Sequence, residues 1–381
     1  MNQRVIKHRE KGNSISKKKA LIVAMYLPQY HEIIENNTFW GKGFTDWECV
    51  KKSRPLYNGH NQPNEPLNQF YYDLSEVSSI KWQVELARNH GIGGFAFYHY
   101  WFSEEKNLLT KPSELFLAHK EFDIQFMFAW DNISWKRSWS NVQGNDWSPV
   151  ADSNYEMLKE TQNLLVEYKV GNEKEWKAHF AYLSPFFRDD RYIKVTNKPV
   201  FLIWHPSDAV IKMVNYWNLL AKKDGWDGIY IIYKYNSVEK FYPNENYFFY
   251  EPVCSGWNSV GQRIRSKLHK KYANSIRKPQ LYSYDHIWKK ILSRRMNDKF
   301  YPGAFVRYDD TPRRGFGGKV VVGADSTKFK YYMKQLIQET EKEGKEFIFL
   351  TAWNEWGEGA FLEPDTVYGY SYLEALKAIL L

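Results

Sequence analysis

Only two cysteines, Cys49 and Cys254, occur in the 381 residues. Two thiols cannot make a disulfide framework, and no Cys-x-x-Cys or Cys/His spacing offers a metal site. No apolar run approaches the ~18 residues that a membrane-spanning helix needs. The first apolar run, 20–25, follows the basic, polar stretch 1–19. It is too short and too late for a signal peptide, and no small-residue cleavage site follows it. A cytoplasmic location is therefore expected. No Gly-x-Gly-x-x-Gly turn follows that run, and there is no Asp-x-Asp pair to hold the metal of a nucleotide diphosphate. Acids are the scarcer charge, 44 against 53 bases.

The basic excess is local. Eleven Lys or Arg and a single acid, Asp285, lie between Arg263 and Arg295. Such a segment is either a solvated helical face or a dock for anionic lipid headgroups or a phosphate-bearing glycan carrier. The second reading puts the chain at the periphery of the inner membrane. Nothing resembles a nucleic-acid module, so no nucleic-acid partner is expected. The ten His are dispersed, which argues for no metal, and no cofactor is implied. Aromatics make up 18% of the chain. Many pack a core, but flat rings with polar tips also suit sugar sites, and many Trp here stand beside Asp, Asn, His or Glu.

Eight short apolar runs recur: 20–26, 93–98, 124–129, 199–204, 228–233, 247–250, 304–307 and 347–350. Helical spacing marks 74–89, 155–168, 207–223, 286–296, 327–343 and 370–381. Nearly all-apolar strands alternating with helices predict a parallel sheet covered on both faces. A (β/α)8 TIM-type barrel of residues 20–381, behind a flexible basic tail of 1–19, fits the count and the length; a doubly wound sheet is the alternative. Two loops are long for connectors. One runs from His31 to Tyr72 and includes Thr45-Asp46-Trp47-Glu48; the other follows Asp131 and includes Trp135, Arg137, Trp139 and Trp147.

Barrel enzymes work at the C-terminal ends of their strands. Here those ends carry rings beside hydrogen-bonding groups: Tyr26 to His31, His99-Tyr100-Trp101, Trp130-Asp131-Asn132, Trp204-His205, Tyr308-Asp309-Asp310 and Trp353-Asn354-Glu355. The last run leads into Glu355-Trp356-Gly357-Glu358. Glycosidic-bond chemistry asks for two carboxyl groups, one to protonate the leaving oxygen and one to act as base or nucleophile. A one-turn bend would bring positions i and i+3 onto the same side, and Gly357 is free in its backbone angles. Glu355 and Glu358 are the expected catalytic pair. The expected sugar-binding residues are Tyr26, Tyr30, Trp47, His99, Trp101, Trp130, Asp131, Asn132, Trp353 and Asn354.

Several of these stretches carry a family resemblance. Tyr26-Leu27-Pro28-Gln29-Tyr30-His31, the run 40–47 (WGKGFTDW), Asn61-Gln62-Pro63, the run 94–101 (GFAFYHYW), Phe128-Ala129-Trp130-Asp131-Asn132 and the run 353–363 resemble the WbsX family. The resemblance covers residues 20 to 381. It implies a part in bacterial surface-polysaccharide assembly (O-antigen or capsule), where such proteins are labelled glycosyltransferases. It also implies a barrel similar to that of the glycoside hydrolase family 99 endo-α-mannosidases. By that resemblance Glu355 is the base that activates the sugar's own 2-hydroxyl, giving an anhydro-sugar intermediate with net retention. Glu358 is then the general acid, and later the base for the acceptor. Gly357 departs from the bulkier residue expected there in the hydrolases, which bears on the pocket more than on the chemistry.

Three functions fit these residues: a retaining enzyme that cleaves or transfers a glycosyl unit of an oligo- or polysaccharide, a nucleotide-sugar glycosyltransferase, and a non-catalytic glycan-binding protein. Against the third, two adjacent acids at a cleft are electrostatically costly unless one holds a proton. Sugar, linkage, acceptor and oligomeric state are open at this level.

Overall fold

A computed structural model describes residues 19–136 and 164–380. The tail 1–18, Arg137, Trp139, Trp147 and most of the helix expected at 155–168 lie outside the described residues. Of that expected helix, Leu164–Val166 is a short strand antiparallel to Trp135–Lys136.

The strands of the main sheet are β1 (Leu21–Tyr26), β2 (Gly94–Ser103), β3 (Gln125–Trp130), β4 (Lys198–Ile203) and β5 (Tyr230–Lys234). They continue with β6 (Asn246–Phe248), β7 (Phe300–Tyr301), β8 (Gly303–Phe305) and β9 (Phe347–Thr351). Every neighbour pair on the path β7-β6-β5-β4-β3-β2-β1-β9-β8 is parallel. β7 and β8 are halves of one strand broken at Pro302. The Phe249 N–H donates to the Tyr301 carbonyl (3.2 Å), and the Phe349 N–H donates to the Pro302 carbonyl (3.0 Å). That broken strand therefore joins the two ends of the path, and the sheet closes as an eight-stranded barrel. The expected fold class stands, and each of the eight apolar runs is one of its strands.

Helices cover the outside: α1 (Val77–Asn89), α2 (Lys111–Ala118), α3 (Glu173–Phe187), α4 (Asp208–Lys223), α5 (Val260–Ile276), α6 (Tyr284–Leu292), α7 (Ser326–Lys342) and α8 (Ser371–Leu380). Side-chain oxygens start several of them. Ser207, Ser283 and Asp325 each accept from the backbone N–H three residues on, which satisfies one of the otherwise orphaned first-turn donors. α6 buries Ile287, Trp288 and Ile291 on one face and ends at Leu292, short of the expected Met296, because Arg294 turns back to Glu251 (2.8 Å). Strand residues are buried on both faces. Val23, Ala24, Met25 and Tyr26 are wholly excluded from solvent, as expected where the interior is filled and the outside is covered.

Candidate active site

The loop after β9 folds as a single 3-10 turn, Trp356–Glu358, between the short antiparallel strands Asn354–Glu355 and Ala360–Phe361. In a 3-10 turn, positions i and i+3 eclipse, so Glu355 and Glu358 point to one side. The expected bend is present, but the backbone freedom belongs to Gly359, at φ +55°. Gly357 is needed for space. A Cβ there would stand 2.5 Å from Arg313 Nε and 2.7 Å from Asp46 Oδ2.

Arg313 organises the pair. Its Nη2 donates to Glu355 (3.1 Å) and its Nη1 to Glu358 (3.0 Å), while Nε and Nη2 grip Asp46 (3.0–3.1 Å). Asp46 is fully buried and also accepts from the Gly357 N–H (3.1 Å). One guanidinium thus faces three carboxyl groups. Burial raises the Glu355 carboxyl well above the usual range, Glu358 and Asp46 push it further, and Arg313 opposes them. The Glu358 carboxyl is also raised by burial, against Arg313 and Arg314. Burial and mutual repulsion thus disfavour the ionised form of both acids, and Arg313, which bridges them, works the other way.

Both acids line a cleft of about 310 Å³ at the C-terminal rim of the barrel. Its aromatic walls are Tyr98, Tyr100, Trp204, Tyr250, Trp257 and Tyr308; Arg314, Lys319, Asp310 and Asp131 add charge. Tyr98 and Tyr250 share a hydrogen bond (3.0 Å), and Trp204 packs edge-on to Tyr98. Asp131 is raised by burial, with Lys234 and His205 opposing. Its Oδ1 is buried without a partner among the described residues.

Of the twelve residues expected at the site, Glu355, Glu358 and Asp131 line this cleft. The other nine stand behind it as support. The parity of β2 accounts for two of them. Alternate side chains face opposite ways, so Tyr98 and Tyr100 look into the cleft while His99 and Trp101 look out at α3. There His99 Nε2 meets His179 Nε2 (2.8 Å), Trp101 stacks on His179 at 4.4 Å, and burial pulls His99 down to about 3, leaving it neutral. Trp130 donates to the Trp101 carbonyl (3.1 Å). Trp47 is wedged against Tyr30, Tyr72 and Trp356 and donates to the Tyr72 carbonyl, which holds the adjoining Asp46 in place. The Tyr30 hydroxyl donates to the Asn354 carbonyl and receives the Trp356 N–H (3.1 Å). Tyr26 is bonded to Gln83 below the rim, and Trp353 is buried against Phe95.

The two Asn do the same job in two places. Asn354 accepts from the Leu27 N–H (2.7 Å) and donates to the Leu27 carbonyl (3.0 Å), tying the end of β9 to the end of β1. Asn132 makes the same two bonds with His205 (2.8 Å each), tying β3 to β4. Each side-chain amide stands in for one more pair of strand residues, fixing the rim from which the acids project.

A second hollow, of about 90 Å³, adjoins the cleft through Tyr100 and Asp131. Gln29, Asn36, Trp40 and Trp135 line it. Gln29 and Asn36 are 1% and 0% exposed, yet all four of their amide atoms lack a partner among the described residues. Buried amides without partners are costly, and a ligand's hydroxyls would satisfy them.

The family model described as Glycosyltransferase WbsX matches residues 22–376. Two curated relatives, each described as Uncharacterized protein WxcX and from two strains of Xanthomonas campestris pv. campestris, are 28% identical over 371 residues, covering 95% of this chain and 50% of their own length. The chain therefore spans about half the length of these relatives. Among solved structures, the GH99 endo-alpha-mannosidase from Bacteroides thetaiotaomicron superposes with a TM-score of 0.51 at 14% identity, covering 94% of this chain and 95% of that one. A glycoside hydrolase-like protein superposes with a TM-score of 0.55 at 13% identity, covering 95% and 94%. At these identities the likeness is one of fold.

Proposed function

The chain belongs to the WbsX glycosyltransferase family, and from that premise we propose that it is a retaining carbohydrate-active enzyme that cleaves or transfers a glycosyl unit of a surface polysaccharide. One observation carries the reading: Arg313 holds Glu355 and Glu358 together, on one side of a 3-10 turn, in a cleft walled by aromatic rings. Burial and repulsion disfavour ionising both carboxyls at once, which suits a reaction needing one acid and one base. Following the family 99 resemblance, Glu355 takes the proton of the sugar's 2-hydroxyl. That oxygen attacks the anomeric carbon while Glu358 delivers its proton to the leaving oxygen. Glu358, now ionised, then deprotonates water or an acceptor hydroxyl, which opens the anhydro ring as Glu355 returns its proton to the 2-oxygen. Two displacements give net retention.

The hollow beside Asp131 supports an oligomeric substrate. Gln29 and Asn36 can each donate to one hydroxyl and accept from another, which suits a second sugar unit next to the reacting one. An anionic membrane surface meeting the basic segment 263–295, on the cytoplasmic side, is the proposed partner.

A second reading, sugar transfer from a nucleotide donor, has the family's own description in its favour. One set of experiments separates the readings. The purified protein is incubated with surface-polysaccharide fragments of graded length and with aryl glycosides, and products are followed by anomeric NMR. We expect retention, no turnover of a substrate lacking its 2-hydroxyl, and losses of at least ~10²-fold in Glu355→Gln and in Glu358→Gln. An activated aryl leaving group should rescue Glu358→Gln in part, because it needs no protonation. Gln29→Ala should erase the preference for longer fragments while sparing the shortest. Turnover that requires a nucleotide sugar and releases its nucleotide would establish the second reading. Binding without turnover of any substrate would make the chain a glycan-binding protein.

A further inference from the structure

A surface helix ordinarily turns its apolar stripe inward. α5 does the reverse. Ala273 is its one buried residue, and the residues beside it on the inner face are Gln262, Ser266 and His269, all half-buried. Ser266 Oγ donates to Gln280 Oε1 (3.1 Å), and the His269 ring meets the Lys278 carbonyl (3.0 Å). The apolar residues are on the outside: Val260, Ile264, Leu268, Tyr272 and Ile276 recur every fourth position, each about half exposed or more. Residues four apart are neighbours on a helix face, but each such step turns about 40° further round at ~3.6 residues per turn. Val260, Ile264 and Leu268 therefore form a row on the outer face, while Tyr272 and Ile276 wind away from it. Arg265, Lys267 and Lys271 are exposed around that row, with Arg277 and Lys278 at the end of the helix. No Asp or Glu occurs between Glu251 and Asp285.

Below the start of the row is a mostly apolar groove of about 590 Å³, lined by Val253, Trp257, Val260 and Ile264 with Arg263 and Lys319. Val253, Trp257 and Lys319 also line the catalytic cleft, so the groove leads from α5 to the cleft mouth.

What covers this row must be apolar where the row is and anionic around it. A second copy of the chain meets only the first condition, since a two-fold contact sets the same cations against themselves. A phospholipid surface containing anionic lipid meets both. An apolar face rimmed by Lys and Arg is the pattern of a helix lying in the plane of a bilayer surface. We propose that α5 lies in an anionic phospholipid surface, with Val260, Ile264 and Leu268 at the acyl boundary and the cations among the headgroups. The cleft mouth then faces the lipid, where a lipid-linked glycan would present its sugars. The inference rests on the membrane partner named in the proposed function and not on the acid–base chemistry. Charge alone predicts binding that salt abolishes; the exposed row adds a component that salt leaves in place.

Sedimentation with vesicles of phosphatidylcholine, with and without 30% (about a third) phosphatidylglycerol, tests this at low and high salt. We expect at least ~10-fold preference for the anionic vesicles, with a measurable fraction bound at high salt. Ile264→Ser with Leu268→Ser should remove the high-salt fraction, and Lys267→Glu with Lys271→Glu should remove the low-salt preference. All four positions are exposed, and melting curves check that the variants fold. A cysteine-linked polarity-sensitive dye at Leu268→Cys should shift to the blue with anionic vesicles. Glu355→Gln should bind vesicles as the parent does, so the catalytic reading can fail while this one stands. Equal binding of the two vesicle types, no binding to either, or binding unchanged in the Ser variant would overturn the proposal. So would a concentration-dependent dimer in solution that the Ser variant abolishes, which would assign the row to a second copy.

Discussion

At Gly357 a single hydrogen decides whether Arg313 can reach three carboxyl groups at once. A methyl group in its place would lie 2.5 Å from Arg313 Nε and 2.7 Å from Asp46 Oδ2, inside the contact distance of any such pair. The guanidinium cannot simply swing away, because Asp46, Glu355 and Glu358 hold it from different sides. Gly357→Ala should therefore leave the fold in place but loosen the contacts that lower both glutamate pKa values. The sign follows directly. Burial raises Glu355 and Glu358, and Arg313 opposes it. Weakening Arg313 moves both carboxyls further up, so the ionised base appears only at higher pH. We expect kcat/KM to fall at least ~10-fold and the acidic limb of its pH profile to move upward. A profile that superimposes on that of the parent protein would separate Gly357 from the site electrostatics. The acids themselves were legible from their Trp and Asn neighbours, whereas Arg313 was not. It lies 45 positions before Glu358 in the chain, in a Thr-Pro-Arg-Arg run that no spacing rule links to a later acid. Asp46 stood in a loop noted as long for a connector, yet only the fold sets it against Arg313.

At the scale of elements, the loop after β9 is held from beneath by a buried acid. Glu363 accepts from Tyr72 (2.8 Å), Trp356 (2.6 Å) and Gln83 (2.7 Å), and Gln83 in turn accepts from Tyr26. These bonds tie the loop to the long first loop and to α1. Burial pushes the Glu363 carboxyl up to about 7, with the three donors opposing. A carboxyl raised on folding binds a proton more tightly in the native state. Its contribution is complete below the unfolded value of about 4.5 and is lost as pH rises through about 7. The effect is on the order of 3 kcal/mol. Melting temperature should fall across that window, and Glu363→Gln, which cannot ionise, should flatten the fall while lowering stability at acid pH. A slope as steep in the variant as in the parent would place the titration elsewhere. The same scale explains why the rings that face the cleft could not be told from those behind it in the sequence. Every strand end was rich in rings, and His99 and Trp101 differ from Tyr98 and Tyr100 only in parity along β2. Parity becomes readable once one residue's direction is known, and Tyr98, in the cleft, supplies it.

For the molecule as a whole, the decisive feature is that the barrel closes through a strand split in two. Apolar period and length marked all eight strands, because a strand buried on both faces must be apolar throughout. Nothing in that pattern shows that the seventh is split, with β7 serving β6 and β8 serving β9. Pro302 has no N–H to give, and the chain steps from one partner to the other at that residue. Gly303 follows because there is no room for more. A Cβ there would lie 1.7 Å from the Phe249 carbonyl oxygen and 2.8 Å from its carbon. Those are backbone atoms of the neighbouring strand, so the clash cannot be relieved by turning a side chain. Gly303→Ala must push β6 and β8 apart at the seam. Overpacking of this kind costs about 1–3 kcal/mol where side chains can yield, and the seam cannot yield, so the cost should reach or exceed the upper end. Glu251 and Tyr250, directly after Phe249, sit on the same seam, and Tyr250 lines the cleft. A loss of stability should therefore come with a loss of turnover, unlike Gly357→Ala, where turnover falls alone. Thermal melts and activity measured side by side on the two alanine variants provide the comparison. A Gly303→Ala protein as stable as its parent would mean that the barrel does not close through this strand.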